Sequence, residues 1–389
     1  MPRETRSGEI IWLAVAVLFM AGCIYLFRQP ARRKTHQTKI SFQKDIPAST
    51  LLIQAFQANQ TQQYSAISQV EVFAGGRWYN SNARIAKAPK HLTIDFFTGA
   101  NSGFECGYSG NWIWRKKSNS PLNPYAKLNS GLMQEGQNRL QLLLHNYQVR
   151  WKGITKINHR VADLLEVTPR HPLDDSNGPA KRIWVDRATK LPLRIETFNY
   201  QMVPVMRSTL SDLQLTNPPA NSFVSDASIE AALAQTPWTA YQMGNNYDDA
   251  GRIAGIFPPI PQYVPAGFMR EVVGLHRCAS SDSSQSDTCY ASLSRYSDGM
   301  NTITLFALKP SCAQQLQLDQ SPQSEEQNGD EQIYVFGSGA VSTRNTKEGT
   351  IVAVADLPPT ELRHVINSIQ IKSYSMTSEL NGTANATSN

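Results

Sequence analysis

The sequence predicts an α+β protein with two domains, each built on an antiparallel sheet. Most of the chain is made of short segments in which polar and apolar residues alternate, which is the pattern of half-buried strands. Three segments carry apolar residues at helical spacing, and they do not alternate regularly with the strands. The 389 residues are enough for two domains of about 150 residues each.

Composition excludes several classes of protein. Hydrophobic residues make up 41% of the chain, which is enough to bury real cores. The formal net charge of +6 is spread along the chain, so no basic face stands out and no nucleic-acid partner is expected. Five cysteines in a chain of this length are too few for a scaffold built on disulfides.

The first feature along the chain is an uncharged apolar run over 10–27, after a short segment, 1–9. At 1.5 Å per residue the run is just long enough to cross about 30 Å of hydrocarbon, so it is predicted to be a transmembrane anchor. A cleaved signal peptide is one alternative. Another is a lipoprotein whose acylated residue is Cys23, but the apolar run continues past Cys23, which favours the uncleaved anchor.

The charges that flank this run give a conflicting orientation. The following linker, 28–47, is basic, and the positive-inside rule alone would place the large domain in the cytoplasm. Long domains often cross the membrane regardless of this bias. We expect an extracytoplasmic, periplasmic domain, because the cysteine pair and the family resemblance described below both favour it.

The first domain is predicted over 48–224. A helix capped by Ser49 or Thr50 is expected to run to about Tyr64, and a second helix to occupy 128–144. Alternation predicts strands between and after them. In one of these, Leu92, Ile94 and Phe96 share a face. The remaining strands are predicted at 66–73, 77–87, 147–151, 154–169, 182–186, 193–200 and 206–215.

A connector is predicted over 225–261, followed by a second domain over 262–372. That domain is expected to hold six strands and a final helix, Pro359–Ile369. A polar stretch, 316–330, reads as a mobile loop, and the tail, 373–389, as disordered. The strands are predicted at 269–276, 289–296, 302–307, 333–336, 340–344 and 350–355.

No motif for catalysis, phosphate binding or metal binding is present, so no catalytic residue, cofactor or metal is predicted. A hydrolase with residues scattered along the chain is the remaining enzymatic alternative. Cys278 and Cys289 flank a polar loop, and two strands joined by it would bring them together as a disulfide. Two unpaired residues are the alternative there. Cys106 and Cys312 are expected as buried or free thiols.

Tryptophans concentrate in the first domain. On strands of one curved sheet, their indoles would line an apolar concavity for an acyl chain, and we take them as candidate ligand-binding residues. The alternative is that they fill the domain core. The candidates are Trp78, Trp112, Trp114, Trp151 and Trp184.

Two stretches carry a family resemblance. Ile183–Arg194 resembles the strand–turn–strand of the LolA/LolB-like lipoprotein carriers, and the helix-first layout from residue 48 is similar to theirs. In the second domain, Tyr296–Gly299 (YSDG), Gly337–Thr343 and the pair Pro358-Pro359 resemble the C-terminal domain of RseB/MucB proteins. The order of the two domains matches this family over about 48–372.

The resemblance implies a LolA-like curved antiparallel half-barrel with helices, followed by a smaller mixed domain. RseB/MucB proteins are periplasmic negative regulators of the sigma-E envelope-stress response. They sense lipid-type ligands and bind the periplasmic part of a membrane anti-sigma factor. The resemblance therefore implies a non-enzymatic regulator with two partners, an anti-sigma factor or similar membrane protein and a lipid or acylated ligand. RseB proteins are normally soluble, whereas this chain is predicted to keep an anchor. A lipid or lipoprotein carrier is the alternative, although such carriers lack the second domain.

Overall fold

Two compact units divide the chain. The first runs to residue 240 and includes 297–301 and 336–339, and the second comprises 241–296, 302–335 and the residues from 340 on. The structure is a computed structural model, and it describes residues 46–74, 76–99, 101–110, 112–127, 132–171, 180–199, 202–235, 241–244, 247–278, 289–315, 326–328, 331–336 and 339–374.

Strands dominate the first unit. Its helices are α1 (Ala48–Thr61), α2 (Leu132–Asn146) and α3 (Asp226–Gln235), with a short 3₁₀ turn at Ala220–Ser222. Its strands are β1 (Tyr64–Ala74), β2 (Arg77–Ala88), β3 (His91–Gly99), β4 (Phe104–Ser109), β5 (Trp112–Lys117), β6 (Asn123–Lys127), β7 (Tyr147–Ile157), β8 (Arg160–Pro169), β9 (Lys181–Asp186), β10 (Pro192–Phe198) and β11 (Pro204–Gln214).

These strands form one antiparallel sheet. Hydrogen bonding orders them β6-β5-β4-β3-β2-β1-β11-β10-β9-β8-β7. Two meanders, β1 to β6 and β7 to β11, are joined by the pairing of β1 with β11. Among the described residues β6 and β7 do not pair with each other, so the sheet is open. The predicted α+β class is confirmed.

The alternating pattern of β3 is confirmed, because Leu92, Ile94 and Phe96 are all buried. The prediction for the next strand pair needs a correction. The sequence suggested one long strand over 154–169, but the chain turns at Asn158 and His159, where φ is +48° and +67°. Asparagine tolerates this left-handed conformation, so it can end β7 in a tight turn.

The start of α1 also differs from the prediction. The residue before the helix is Pro47, and no side chain caps the first turn, whereas Ser49 or Thr50 was expected to do so. Pro47 has a φ of −53° and an extended ψ of 138°, so it lies outside the helix and the first helical residue is Ala48. The first backbone N–H groups of α1 therefore lack a side-chain partner.

The second unit is a smaller α+β fold. Its elements are β12 (Tyr241–Gly244), α4 (Tyr247–Ala254), β13 (Met269–Cys278), β14 (Cys289–Ser297), β15 (Thr302–Leu308), α5 (Pro310–Gln315), β16 (Glu326–Asn328), β17 (Glu331–Phe336), β18 (Gly339–Asn345), β19 (Thr350–Ala355) and α6 (Pro359–Asn367). Antiparallel pairing joins β12 to β13, β15 to β19, β18 to β19 and β16 to β17. In the core, Leu362 and Val365 of α6 pack on the buried strand residues Ile303, Leu305 and Ile351.

The disulfide prediction is wrong in its pairing. Cys289 is bonded to Cys312, with 5.6 Å between the two Cα atoms, and not to Cys278. Cys312 lies on α5, directly after β15, where it packs against the small cluster that holds Cys289 and Leu308. Cys312 was expected to be unpaired. Packing between elements distant in sequence selects the partner, and the short loop between Cys278 and Cys289 does not. Cys106 is buried, as expected.

No helix in the described part of the chain is both long and apolar enough to cross a membrane. The predicted anchor, 10–27, lies outside the described residues, as does Cys23. Most of the predicted linker, 28–47, and of the predicted tail, 373–389, also lies outside them.

Candidate functional site

Helix α1 packs on one face of the first sheet, which we call the α1 face. Leu51, Leu52 and Ala55 of the helix are buried against Leu165 and Ile183 of the strands. Apolar residues at this spacing lie on one side of a helix, and burying them is the main stabilising contribution to its packing. Cross-strand register carries the same face to Ile195, Ala66, Ile85, Ile94 and Cys106.

A small cavity separates α1 from the sheet. Its volume is about 30 Å³, which is the share of one water molecule in the liquid. Aliphatic side chains from both elements form most of its wall. An engineered cavity of about 150 Å³ is needed to hold benzene, so no acyl chain fits here while α1 is in place. The lining residues are Leu52, Ala55, Phe56, Asn59, Ile183, Pro192 and Ile195.

Polar contacts hold the C-terminal end of α1. Asn59, which is buried, accepts a hydrogen bond from the Tyr64 hydroxyl at 3.1 Å. The Gln62 side chain donates to the backbone carbonyl of Thr189 at 2.5 Å. The N-terminal end has no side-chain cap after Pro47. Polar side-chain contacts thus hold the C-terminal end of the helix, and apolar contacts hold the other end.

Trp151 is the candidate tryptophan that lies on the α1 face. It pairs with Leu165 across β7 and β8, and paired residues share a face. Its side chain is 51% exposed, beyond the part of the sheet that α1 covers. The indole N–H donates to the Asp163 carboxylate at 3.1 Å, so one edge of the ring is fixed while its body meets solvent.

Trp184 and Trp78 lie on the opposite face. Trp184 pairs with Leu164, the neighbour of Leu165, and successive residues of a strand point to opposite sides. The Arg194 guanidinium lies 5.0 Å from the Trp184 ring. Ala66 of β1 lies on the α1 face, and Phe73, an odd number of residues further along β1, points to the other face. Trp78 pairs with Phe73 and therefore also points away from α1.

Trp114 is a core residue of the opposite face. It pairs with Gly107, whose neighbour Cys106 belongs to the α1 face. Its side chain is fully buried, and a Cβ added at Gly107 would lie 3.1 Å from the indole ring. Trp112 is two residues away on the same strand and shares this face. The structure therefore does not bring the candidate tryptophans together in one concavity.

The opposite face carries a line of alternating charges, which we call the charge rung. Its members are directly paired in the sheet register, and three of the neighbouring pairs form ion pairs. The Glu166–Arg182 contact measures 3.2 Å, and Arg207 lies 2.9 Å from both Glu196 and Glu71. In order across the strands, the rung is Arg150, Glu166, Arg182, Glu196, Arg207 and Glu71.

Glu196 is the buried centre of the charge rung. Burial by itself would raise the pKa of Glu196, but hydrogen bonds from Arg194 and Arg207 outweigh it and hold the pKa below its ordinary value of 4.5. The pKa of Arg207 is raised, because its bonds to Glu71 and Glu196 outweigh desolvation. The rung is therefore charged at neutral pH and its charges balance one another, which favours a rigid surface over an open binding site.

Asp186 explains the first stretch that carried the family resemblance. Its carboxylate accepts bonds from the Thr189 backbone N–H at 3.0 Å and from the Thr189 hydroxyl at 2.6 Å. The Arg160 guanidinium binds both carboxylate oxygens, at 2.8 and 3.2 Å. Burial opposes ionisation, yet these bonds lower the pKa of Asp186. This motif therefore builds the tight turn between β9 and β10 beside the end of α1.

A buried lysine was missed by the sequence analysis. Lys87 is 1% exposed, and its Nζ donates to the Tyr108 hydroxyl at 2.6 Å. Lysine is rarely so deeply buried unless it has partners. The signal was present in the pattern, since Lys87 continues the spacing of the α1-face residues Ala83 and Ile85 along β2.

The last three residues of the YSDG motif belong to a loop of the first unit, Ser297–Asn301. The Asp298 carboxylate accepts bonds from the Tyr147 hydroxyl at 2.6 Å and from the Asn301 amide at 3.2 Å. Backbone N–H groups of Met300 and Asn301 also donate to it, at 2.8 and 2.7 Å. Burial raises the pKa of Asp298, and these bonds only oppose the shift. No cationic side chain is among the groups that shift the pKa of Asp298, whereas two arginines lower the pKa of Glu196.

The glycine of this motif is required by both conformation and space. Gly299 has a φ of +97°, which side-chain-bearing residues rarely adopt. A Cβ there would lie 2.3 Å from the backbone nitrogen of Leu143 on α2. The Gly299 N–H donates to the Ser297 hydroxyl at 3.0 Å. Close approach of this loop to α2 therefore depends on glycine.

Residues 119–233 match the family model of the MucB/RseB N-terminal domain. This part of the chain is therefore similar to the N-terminal domain of RseB/MucB proteins. The matched stretch contains α2 and β7 to β11, and so holds Trp151, Trp184, the Asp186 turn and most of the charge rung. No curated protein sequence matches the chain significantly.

The chain is also similar to solved structures. A MucB chain from the Pseudomonas aeruginosa MucA/MucB complex aligns with a TM-score of 0.52 at 15% identity, over 84% of this chain and 99% of that one. MucB in complex with the periplasmic part of MucA has a TM-score of 0.49, 15% identity, and coverage of 84% and 100%. A LolA superfamily protein from Nitrosomonas europaea has a TM-score of 0.25, 12% identity, and coverage of 47% and 100%.

Proposed function

We propose that this chain is an RseB/MucB-type protein, a non-enzymatic extracytoplasmic regulator that binds an anti-sigma factor and modulates envelope-stress signalling. One observation carries the proposal. The chain has the MucB/RseB N-terminal domain over 119–233 and shares the fold of a MucB chain solved in a MucA/MucB complex. The natural partner is then the periplasmic part of a membrane anti-sigma factor.

The ligand that regulates this interaction is proposed to be a lipid or an acylated molecule held on the α1 face. The face is apolar, and α1, whose N-terminal end has no side-chain cap, covers it through apolar contacts. Each buried CH₂ of an acyl chain contributes about 0.8 kcal/mol, so a chain that replaces α1 gains substantial binding energy. The cavity of about 30 Å³ means that the ligand enters only after α1 moves away from the sheet.

The membrane is proposed to hold the protein through the apolar run, 10–27, with acylation of Cys23 as the alternative. Either attachment would place the large domain next to a membrane-embedded partner. Alkaline phosphatase fused after residue 389 should be active, because that enzyme needs the oxidising periplasm. An inactive fusion in well-expressed protein would contradict an extracytoplasmic domain.

The partner proposal is tested with the full chain and the periplasmic segment of an anti-sigma factor encoded in the same genome. The segment carries a fluorescent label, and binding is followed by anisotropy. We expect saturable binding that is competed by unlabelled segment. Absence of binding would overturn the regulatory proposal. Lipid binding without partner binding would favour the lipid-carrier function instead.

The lipid site is tested on the sheet side of the cavity, which stays in place when α1 moves. Ile195→Ala removes three carbon atoms from this wall, so we expect the affinity for a fluorescent lysophospholipid to fall about ten-fold, the loss of about two buried CH₂ contacts. Ile253→Ala is the matched control, since it removes the same carbon atoms from an exposed isoleucine of the second unit. Equal affinities in the two variants would remove the α1 face from the lipid site.

A further inference from the structure

The tip of the β7–β8 hairpin exposes an apolar surface that the proposed lipid site does not use. Trp151, Ile154 and Val161 are 51%, 52% and 40% exposed. Ile154 pairs with Asp163 and Val161 pairs with Lys156, so all three apolar residues lie on the α1 face, beyond α1 itself. We call these three residues the hairpin patch. A contiguous exposed aromatic and aliphatic cluster of this kind marks an interaction site.

The charges around the hairpin patch have one sign. Lys156 is exposed on the same face as the patch, and the side chain of Arg187, 51% exposed, reaches this face at Asp163. The carboxylates of the hairpin, Asp163 and Glu166, are largely withdrawn from solvent and engaged. Asp163 accepts from Trp151 and pairs with Arg187 at 3.3 Å, while Glu166 pairs with Lys152 at 3.4 Å and with Arg182 at 3.2 Å. The outer surface of the hairpin is therefore cationic around an apolar centre.

We propose that the hairpin patch docks on the surface of an anionic phospholipid bilayer. An indole prefers the interfacial layer, and Ile154 and Val161 would reach the top of the acyl region beside it. Lys156 and Arg187 would meet lipid phosphates, with each cation near an anionic surface strengthening binding about five-fold. The charge complementarity selects a bilayer over an apolar protein partner. This contact is separate from the lipid site, because the patch is exposed while α1 is closed.

Brominated lipids quench tryptophan fluorescence at short range, so the fluorescence of Trp151 reports directly whether this residue contacts the bilayer. The full chain is mixed with vesicles of brominated phosphatidylglycerol and, separately, of brominated phosphatidylcholine. We expect stronger quenching in the anionic vesicles, and this excess should disappear in Trp151→Phe. Trp78→Phe is the matched control, because Trp78 is also exposed, at 40%, on the opposite face. The comparison holds whether or not the predicted anchor inserts, since the anchor is common to all variants.

Two further variants keep the proposal testable if Trp151→Phe disturbs the hairpin. Ile154→Asp places a charge at an exposed position and should abolish the excess quenching. Lys156→Gln should reduce the apparent affinity about five-fold. Equal quenching of wild type, Trp151→Phe and Ile154→Asp would overturn the proposal. Burial of Trp151 at high protein concentration without vesicles would also overturn it, in favour of a second copy of the chain.

Discussion

The two faces of the first sheet differ in what covers them. The α1 face is apolar and is covered by a helix that leaves a cavity of about 30 Å³. On the opposite face, the charge rung runs across the strands. Ion pairs join Glu166 to Arg182 and join Arg207 to both Glu71 and Glu196. A surface held by non-directional apolar contacts can exchange its cover for a ligand. A surface held by paired charges cannot do so without leaving charges unpaired.

Two carboxylates show the same contrast. Glu196 lies between two arginines, and its pKa is lowered. Asp298 accepts bonds from a hydroxyl, an amide and backbone N–H groups, and its pKa is raised because burial dominates. Neutral donors satisfy a buried carboxylate without fully favouring its charge, whereas a guanidinium does both. The two acids should therefore respond to pH in opposite directions.

The largest expected effect is that of Trp114→Ala on the opposite face. The side chain is fully buried beside Gly107, so its removal leaves a cavity and should lower the free energy of unfolding by about 3–5 kcal/mol. Urea denaturation monitored by circular dichroism measures this. A loss below about 1 kcal/mol would show that the indole is not part of a packed core.

Glu196→Gln should cost about 2 kcal/mol at neutral pH, because two bonds from guanidinium groups lose their charged acceptor. The lowered pKa means that the contribution is present above 4.5 and is lost as the pH falls through the folded-state value. The stability difference from wild type should therefore shrink on acidification. Glu230→Gln, at an exposed position on α3, is the control and should show no such change. A difference independent of pH would contradict the assigned role.

Asp298→Asn should show the opposite pH dependence with a smaller effect. Asparagine resembles the protonated acid, so the variant should differ from wild type by under about 1 kcal/mol at acidic pH. A raised pKa means that the wild type loses stability as the pH rises from 3.8 through the folded-state value. The free energy of unfolding of the variant relative to wild type should therefore increase from acidic to neutral pH. A decrease over this range would contradict a pKa raised by burial.

Trp151→Ala should have the smallest effect on stability, within about 0.5 kcal/mol, because the ring is 51% exposed. Asp163 keeps its ion pair with Arg187 after the indole is removed. Measured beside Trp114→Ala, this variant separates an exposed tryptophan from a core one. A cost near that of Trp114→Ala would mean that Trp151 is structural and would leave no role for it as a surface residue.

Local sequence patterns predict much of the fold, but they do not predict which residues come together in the candidate site. Alternation is a property of a single strand, so it predicts that Leu92, Ile94 and Phe96 share a face. Whether tryptophans on different strands share a face depends on register. The irregularity between Trp151 and Gly153 shifts the register of the β7–β8 pairing, and no local sequence pattern predicts this shift. The choice of Cys312 as the partner of Cys289 also depends on packing between distant elements.

The central claim is that α1 is a displaceable cover and the charge rung is not. Hydrogen–deuterium exchange of the full chain, with and without saturating lysophospholipid, tests it directly. We expect faster exchange at residues 51–56 when the lipid is present, because a helix of 14 residues is only marginally stable once it leaves its apolar support. Exchange in the rung strands β1 and β11 should stay unchanged. Bound lipid with no change at α1, or with its change confined to β1 and β11, would contradict the account.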